Sequence, residues 1–191
     1  MPFPSTVTGR RLVTIGGAPV PIPDPDCLIH LQFRRFAGCP VCSLHLRSIA
    51  NRLDEISAAN VREVVVFHSS ADELRKYTAD LPMAVIADPD RRLYREFGVE
   101  SAPRALLDPR AWPTIVRGVV SELRALRRPG HVAPPVLPEG GRLGLPADFL
   151  IAPDGRVVAS KLGRHADDQW SVDELLAHAA SHLLSPKEIH S

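Results

Sequence analysis

The sequence predicts an α/β fold with a central mixed sheet flanked by helices. Two observations predict it: short apolar runs alternate with helical patterns between residues 27 and 98, and a Pro-Asp-Gly turn separates the last two extended runs. Strands that alternate with helices pair in parallel, whereas strands joined by a tight turn pair antiparallel. With 191 residues and 45% hydrophobic content, we expect one domain over residues 1–191 that buries a full core.

The first predicted elements are a hairpin and a strand. Gly16 and Gly17 separate the extended runs 11–15 and 20–22, a pattern typical of a β-hairpin. Residues 27–33 alternate between two faces at the period of a strand. We therefore expect an N-terminal hairpin followed by the first strand of the main sheet.

A helix, a buried strand and a capped helix follow. Apolar residues recur at helical spacing between residues 42 and 58, which predicts a helix there. The β-branched run 61–67 is typical of a buried parallel strand. Ser70 and Glu73 form a capping-box pattern that predicts a helix over residues 71–79.

The remaining elements are predicted from the same kinds of pattern. They are a strand over residues 83–87, a helix over 90–97, a late hairpin over 149–160 and a helix over 172–184. Gly98 is expected to end the first of these helices. Ser171 and Glu174 are expected to begin the last one as a capping box.

Residues 100–144 fit none of these patterns. They are rich in proline and arginine and contain one amphipathic segment, residues 114–128. We expect an insertion that covers the domain before the late hairpin. The functional alternative is a lid or a dimer contact near the thiols described below.

Charge and hydropathy exclude several classes of partner. The formal net charge of +1 gives the whole chain no strong attraction to nucleic acid or to a membrane surface. No apolar stretch approaches the length of a membrane span, and residues 1–20 lack the apolar core of a signal peptide. The sequence therefore predicts a cytoplasmic protein without nucleic-acid or membrane partners.

Two cysteines three residues apart indicate redox chemistry. Cys39 and Cys42 follow the predicted strand and stand at the start of the predicted helix. Their spacing allows a disulfide, and a helix N-terminus stabilises the thiolate that attacks disulfides or peroxides. In a reducing compartment such a pair is more often catalytic or metal-binding than structural. Cys27 falls on the apolar phase of its strand, as a small core residue does.

Four blocks of the sequence, taken in order, resemble the thioredoxin-like superfamily and, within it, the peroxiredoxin-like AhpC/TSA family. The blocks are the strand, cysteine loop and helix start at 33–42, the proline segment at 79–82, the Asp-Pro to Gly-Val segment at 87–99, and the proline loop with its hairpin at 144–157. The resemblance implies a thioredoxin-like fold and a thiol-dependent oxidoreductase without a bound cofactor.

The same resemblance implies the site and its reactants. Cys39 and Cys42 would be catalytic, while Pro40 and a cis Pro146 would shape the substrate loop. The substrate would be a peroxide or a disulfide, and the electron donor a small thiol or a reductase.

The order of attack stays open. Alignment on Pro40 and Cys42 places the peroxidatic cysteine of typical peroxiredoxins on Cys42 and their active-site Thr or Ser on Cys39. In the thioredoxin order Cys39 attacks first and Cys42 releases the product. We favour Cys39 as the more exposed thiol. The active-site arginine of the family falls near Pro146, so Arg142 would replace it only by reaching in from nearby.

Four nearby side chains are candidates for tuning the pKa of the thiols, and Arg142 is one of them. Arg34 and Arg35 precede the loop, and either would favour a thiolate by pointing inward, although such arginines are more often solvated. His45 lies one turn beyond Cys42, where it would share a proton with that thiol or pack as an ordinary core histidine.

Two other functions are compatible with the same residues. Cys39, Cys42 and His45, joined by Cys27, offer sulfur and nitrogen ligands of the kind that zinc takes. Against zinc, no second Cys-x-x-Cys or histidine pair follows in the chain. A non-catalytic redox-sensing or interaction module would use the insertion as its contact surface. A homodimer is compatible with the enzyme and with this module.

Overall fold

The computed structural model describes residues 3–99, 107–128, 132–135, 138 and 141–184. Within them the strands are β1 (Arg10–Val13), β2 (Pro19–Ile22), β3 (Leu28–Arg34), β4 (Val61–Phe67), β5 (Ala84–Ala87), β6 (Ala147–Ile151) and β7 (Val157–Leu162). The α-helices are α1 (Pro40–Ala50), α2 (Leu53–Ala58), α3 (Ala71–Thr78), α4 (Arg92–Glu96), α5 (Trp112–Ala125) and α6 (Val172–Leu184).

Strands β3 to β7 form one mixed sheet in the order β5-β4-β3-β6-β7. β4 pairs in parallel with β3 and β5, whereas β6 pairs antiparallel with β3 and β7. This confirms the predicted mixed sheet, because the strands separated by helices are parallel and those joined by the Pro-Asp-Gly turn are antiparallel. β1 and β2 form the predicted N-terminal hairpin as a separate sheet.

Side chains on both faces bury the central strand. On one face the Phe33 ring packs between those of Phe97 and Phe149, with centroids 5.2 and 5.8 Å away. On the other face Leu28 and Ile49 belong to a second apolar cluster. All seven residues of β3 are therefore buried, although the alternating pattern of this strand is typical of one that buries a single face.

The helix predicted over residues 42–58 is wrong at its start and in its middle. α1 begins at Pro40, because the fixed φ of proline suits the first helical turn and the missing N–H has no helical partner there. The chain leaves helical geometry at Arg52, where φ is −121°, before α2 begins. Asn51 precedes this break, and asparagine competes with the helix through hydrogen bonds to nearby backbone.

The predicted helix caps are confirmed. The Ser70 hydroxyl accepts a hydrogen bond from the N–H of Glu73 at 3.4 Å, at the start of α3. At the start of α6, Ser171 accepts from the N–H of Glu174, and the Glu174 carboxylate accepts from the N–H of Ser171. Gly98 follows α4 with a φ of +65°, a conformation that favours glycine.

Candidate active site

The two cysteines lie after β3, at the N-terminal end of α1. Gly38 turns the chain with a φ of +75°, and Cys39 is the N-cap residue of α1. A Cβ atom on Gly38 would lie 2.9 Å from the Tyr77 ring, so both the backbone and the available space require glycine. This requirement was not identified from the sequence. The sequence indicates it only through the glycine that stands directly before Cys39.

Both thiols are free and buried, with exposed fractions of 1% for Cys39 and 3% for Cys42. The expectation that Cys39 is the more exposed thiol is therefore wrong. The two cysteines form a buried cluster with Phe36 and Val41, and Ile115 of α5 packs against that cluster. Burial follows because the helix from the predicted insertion lies over the cysteine loop.

Small residues allow α5 to lie close to α1. Gly118 faces Pro40, since a Cβ atom on this glycine would be 3.2 Å from the Pro40 Cβ. Ala125 is buried on the same side of α5. At the other end, the Thr114 hydroxyl donates to Asp167 Oδ2 at 2.5 Å, which joins α5 to the loop after β7. The predicted amphipathic segment is thus a helix that covers the thiols.

The two thiols differ in acidity. Burial raises the pKa of Cys39, but a hydrogen bond from Cys42, the charge of Arg35 and the N–H groups of Cys42 and Val41 outweigh it and lower that pKa to about 6. Burial raises the pKa of Cys42, and its hydrogen bond to the Cys39 sulfur raises it further. Near neutral pH Cys39 is therefore a thiolate and Cys42 a thiol.

Among the described residues, Arg35 is the cation whose charge lowers the pKa of Cys39. It is buried, and its Nη1 lies 3.7 Å from the Cys39 Sγ. Its Nη2 donates to the carbonyl of Arg142, and its guanidinium lies 5.4 Å from the Phe36 ring centroid. The expectation that this arginine is solvated is wrong, because the segment around Arg142 folds over it and fixes its charge beside the sulfur.

Arg142 meets Arg35 through its backbone. Its own guanidinium donates to the carbonyl of Pro135 at 3.0 Å and lies 6.0 Å from the Phe36 ring centroid. Among the described residues, the positive charge that lowers the pKa of Cys39 is therefore that of Arg35, which directly follows β3, and Arg142 contributes the carbonyl that holds it.

Pro146 is buried directly before β6, but its geometry differs from the expectation. The predicted cis bond is wrong: among the described residues the cis peptide bond is Ile22–Pro23, and Leu145–Pro146 is trans. The carbonyl of Pro146 accepts a hydrogen bond from the N–H of Gly163 at 2.9 Å. The extended trans chain therefore continues the pairing of β6 with β7 beyond the end of the sheet.

Arg34 and the half-buried His45 belong to a second cluster, whose other members are buried and which we call the charge network: Glu63, His30, Asp148, Arg34 and His45. Nη2 of Arg34 donates to Asp148 Oδ1 at 2.6 Å and to His45 Nε2 at 3.0 Å. The ring nitrogens of His30 lie 2.9 Å from Glu63 and 3.3 Å from Asp148. The expectation that Arg34 is solvated is therefore wrong as well.

The charge network sets the protonation of its two histidines in opposite directions. Burial lowers the pKa of His45, and the charge of Arg34 lowers it further, so the ring is a neutral hydrogen-bond acceptor. Burial also lowers the pKa of His30, but Glu63 and Asp148 outweigh this effect and raise it to about 9. Burial raises the pKa of Asp148, yet Arg34 and His30 outweigh it and hold that pKa well below its usual range.

The described residues contain no group of three or more His, Cys, Asp or Glu side chains arranged to hold a metal ion. Within this part of the chain the zinc alternative therefore lacks its ligand set. The Nε2 atom of His45 accepts from Arg34, and Cys27 is buried in the core, as predicted.

A cavity of about 60 Å³ adjoins both thiols. Phe36, Phe67 and Tyr77 are among the side chains that form its walls. A water molecule occupies about 30 Å³ in the liquid, so the cavity has room for a molecule about the size of two waters.

Known structures with the same architecture are thioredoxin-like redox proteins. Peroxidoxin BcpB from Mycobacterium tuberculosis is 16% identical, with 95% of this chain and 97% of that chain covered and a TM-score of 0.65. Peroxiredoxin Q from Xanthomonas campestris is also 16% identical, with 91% and 90% covered and a TM-score of 0.61. A putative thiol:disulfide interchange protein DsbE from Chlorobium tepidum is 17% identical, with 92% and 96% covered and a TM-score of 0.57. The fold is therefore thioredoxin-like.

The chain belongs to the AhpC/TSA antioxidant enzyme family, whose model matches residues 48–165. This confirms the predicted family. Proteins of this family and fold are typically thiol oxidoreductases. The matched range begins after Cys42, so the family match does not include the two cysteines. The evidence for their role comes from the sequence and the structure of this chain alone. Among curated proteins, none has a sequence that matches this chain.

Proposed function

We propose that this protein is a thiol-dependent oxidoreductase that cycles Cys39 and Cys42 between dithiol and disulfide. The observation that carries the proposal is the asymmetry of the pair: Cys39 has a pKa of about 6, with Arg35 3.7 Å from its sulfur, beside a protonated Cys42. The acidic thiol is the better populated nucleophile at neutral pH, and its neighbour retains the proton for the second step.

The proposed reaction has two steps in this order. The Cys39 thiolate attacks one oxygen of a peroxide and breaks the O–O bond, which forms a sulfenic acid, and the other oxygen takes up a proton from solvent and leaves as an alcohol or water. The Cys42 sulfur then attacks the Cys39 sulfur, which forms the disulfide and releases water. With a disulfide substrate, Cys39 forms a mixed disulfide and Cys42 displaces the second thiol. A small thiol or a reductase returns both cysteines to the dithiol.

The small cavity beside the thiols supports a small oxidant as the substrate. Its volume of about 60 Å³ suits hydrogen peroxide, whereas a protein disulfide reaches the sulfurs only after α5 has moved. We propose peroxide as the first substrate to test and a low-molecular-weight disulfide as the second.

Product masses from three proteins test the order of attack. We expect the wild type to lose two thiols per peroxide and form an internal disulfide, and Cys42→Ser to accumulate a sulfenic acid or a mixed disulfide on Cys39. Cys39→Ser should react at least tenfold more slowly, because burial, the largest cause of the raised pKa of Cys42, remains in this variant. A sulfenic acid that forms as fast in Cys39→Ser as in the wild type would assign the first attack to Cys42 instead.

The burial of both thiols favours one second candidate, a redox sensor that is oxidised once rather than turned over. Multiple turnovers with peroxide and a thiol reductant support the enzyme. A single stoichiometric oxidation that the reductant reverses only slowly supports the sensor.

A further inference from the structure

The outer face of α5 exposes a row of large apolar side chains. Val116, Val119, Val120 and Leu123 recur at helical spacing and are all exposed, with exposed fractions of 59% for Val116 and 58% for Leu123. We call these four residues the apolar stripe. A surface helix ordinarily turns such a stripe toward the core, but α5 packs inward through small residues. Contiguous exposed apolar surface of this kind marks an interaction site.

Arginines border the apolar stripe on the side of α1. Four of them line a groove of about 540 Å³ between α1 and α5: Arg47, Arg117, Arg124 and Arg128. The other described residues that line this groove are valine, serine and alanine, and no acidic side chain is among them. Because like charges in one groove repel one another, the arrangement favours an anionic ligand.

The charge around α5 differs from that of the rest of the chain. Residues 107–128 hold five arginines, one aspartate and one glutamate, a net charge of +3, whereas the whole chain carries +1. A second copy that docked through the same face would present the same positive charge to this surface. An anionic bilayer instead offers phosphate groups and hydrocarbon next to each other over a broad surface, which suits the convex face of a helix.

We propose that α5 and its groove with α1 form a docking surface for bilayers that contain anionic phospholipids. The four arginines bind lipid phosphates, and the apolar stripe enters the boundary between headgroups and acyl chains. Docking of this kind is peripheral, and none of the described helices is long and apolar enough to cross a bilayer. The proposal is independent of the redox reaction, because lipid binding is measured without oxidant.

Sedimentation with lipid vesicles tests the docking surface. We expect the protein to bind vesicles of phosphatidylcholine with about 30% phosphatidylglycerol, to bind pure phosphatidylcholine weakly, and to be released by salt. The double variant Arg47→Gln/Arg124→Gln should bind about 30-fold more weakly, since each arginine near an anionic surface contributes about fivefold. Val119→Ser/Leu123→Ser should bind about tenfold more weakly, because it removes apolar surface from the lipid boundary.

Matched variants elsewhere on the surface control for charge and for apolar area. Arg11→Gln/Arg164→Gln removes two exposed arginines, and Leu183→Ser/Leu184→Ser removes two leucines that are more exposed than those of α5. Both should bind as the wild type does. Circular dichroism reports whether each variant folds, and the dependence of wild-type binding on salt and lipid charge tests the proposal without any variant.

Three results would overturn the proposal. They are equal binding to neutral and anionic vesicles, equal losses in the docking and control variants, and a wild-type dimer that the docking variants dissociate. The last result would assign the apolar stripe to a second copy of the chain.

Discussion

At the scale of single residues, the acidity of Cys39 depends on where Arg35 points. The side chains of both arginines after Phe33 point into the protein. Arg34 donates to Asp148 in the charge network, and Arg35 lies beside the Cys39 sulfur. The guanidinium of Arg35 is fixed by the carbonyl of Arg142, so its charge stays beside the sulfur. A fixed cation in a buried site favours the thiolate more strongly than a solvated one does.

Arg35→Met should raise the pKa of Cys39 from about 6 to about 7 or above, because the charge is lost while the apolar stem still packs on Phe36. The thiolate fraction at pH 7 would then fall from about nine-tenths to about half or less. The measurement is thiolate absorbance near 240 nm as a function of pH, with Cys39→Ser as the background. Arg142→Met is the matched control, and an equal rise in both variants would contradict the role assigned to Arg35.

The sequence predicted the chemistry at this scale better than the geometry. The spacing of Cys39 and Cys42 and their place at a helix start are properties of the local sequence, so redox chemistry could be inferred from them. The inward direction of Arg35 depends on Arg142, more than 100 residues later, and the burial of both thiols depends on α5. Contacts between distant segments leave no periodic pattern for sequence reasoning to detect.

At the scale of elements, features that depend on local sequence were predicted correctly, and features that depend on contacts between distant segments were not. β4 was predicted with its observed bounds, Val61–Phe67, because a β-branched run specifies a strand by itself. The orientation of α5 could not be predicted, because its large apolar residues indicate an inward face and its contact with Pro40 requires the small Gly118. Which face of a helix is buried depends on the surface that receives it.

Thr114→Val should loosen α5 and make the thiols more accessible. The substitution keeps the shape of the side chain but removes the hydrogen bond to Asp167, which joins α5 to the loop after β7. A hydrogen bond to a charged group contributes about 1.5 kcal/mol or more, so alkylation of Cys39 at pH 8 should be about tenfold faster. Ser121→Ala, on the same helix, is the control. An unchanged alkylation rate would mean that access to the thiols does not require α5 to move.

At the scale of the whole molecule, two buried groups make the stability of the fold depend on pH in opposite directions. The pKa of His30 is raised to about 9, so its contribution is complete below its unfolded pKa near 6.5 and is lost as the pH rises through 9. The pKa of Cys39 is lowered to about 6, so its contribution is complete above its unfolded pKa near 8.5 and is lost as the pH falls through 6. Between pH 6.5 and 8.5 the two effects offset each other.

Cys39→Ser should therefore reveal the contribution of His30. In this variant the free energy of unfolding should fall by about 3 kcal/mol between pH 6.5 and 9, since each unit of pKa difference corresponds to about 1.4 kcal/mol. The wild type should change much less over the same range. Urea unfolding of both proteins at a series of pH values measures the difference.

His30→Gln in the Cys39→Ser background tests the source of this slope, because it removes the proton that binds between Glu63 and Asp148. We expect the double variant to be less stable at pH 6.5 and to lose most of the dependence on pH. His182→Gln, on the half-buried histidine of α6, should keep it. If the free energy of unfolding depends on pH equally in the wild type and in Cys39→Ser, the Cys39 thiol does not offset the effect of His30. The low pKa assigned to Cys39 would then be wrong.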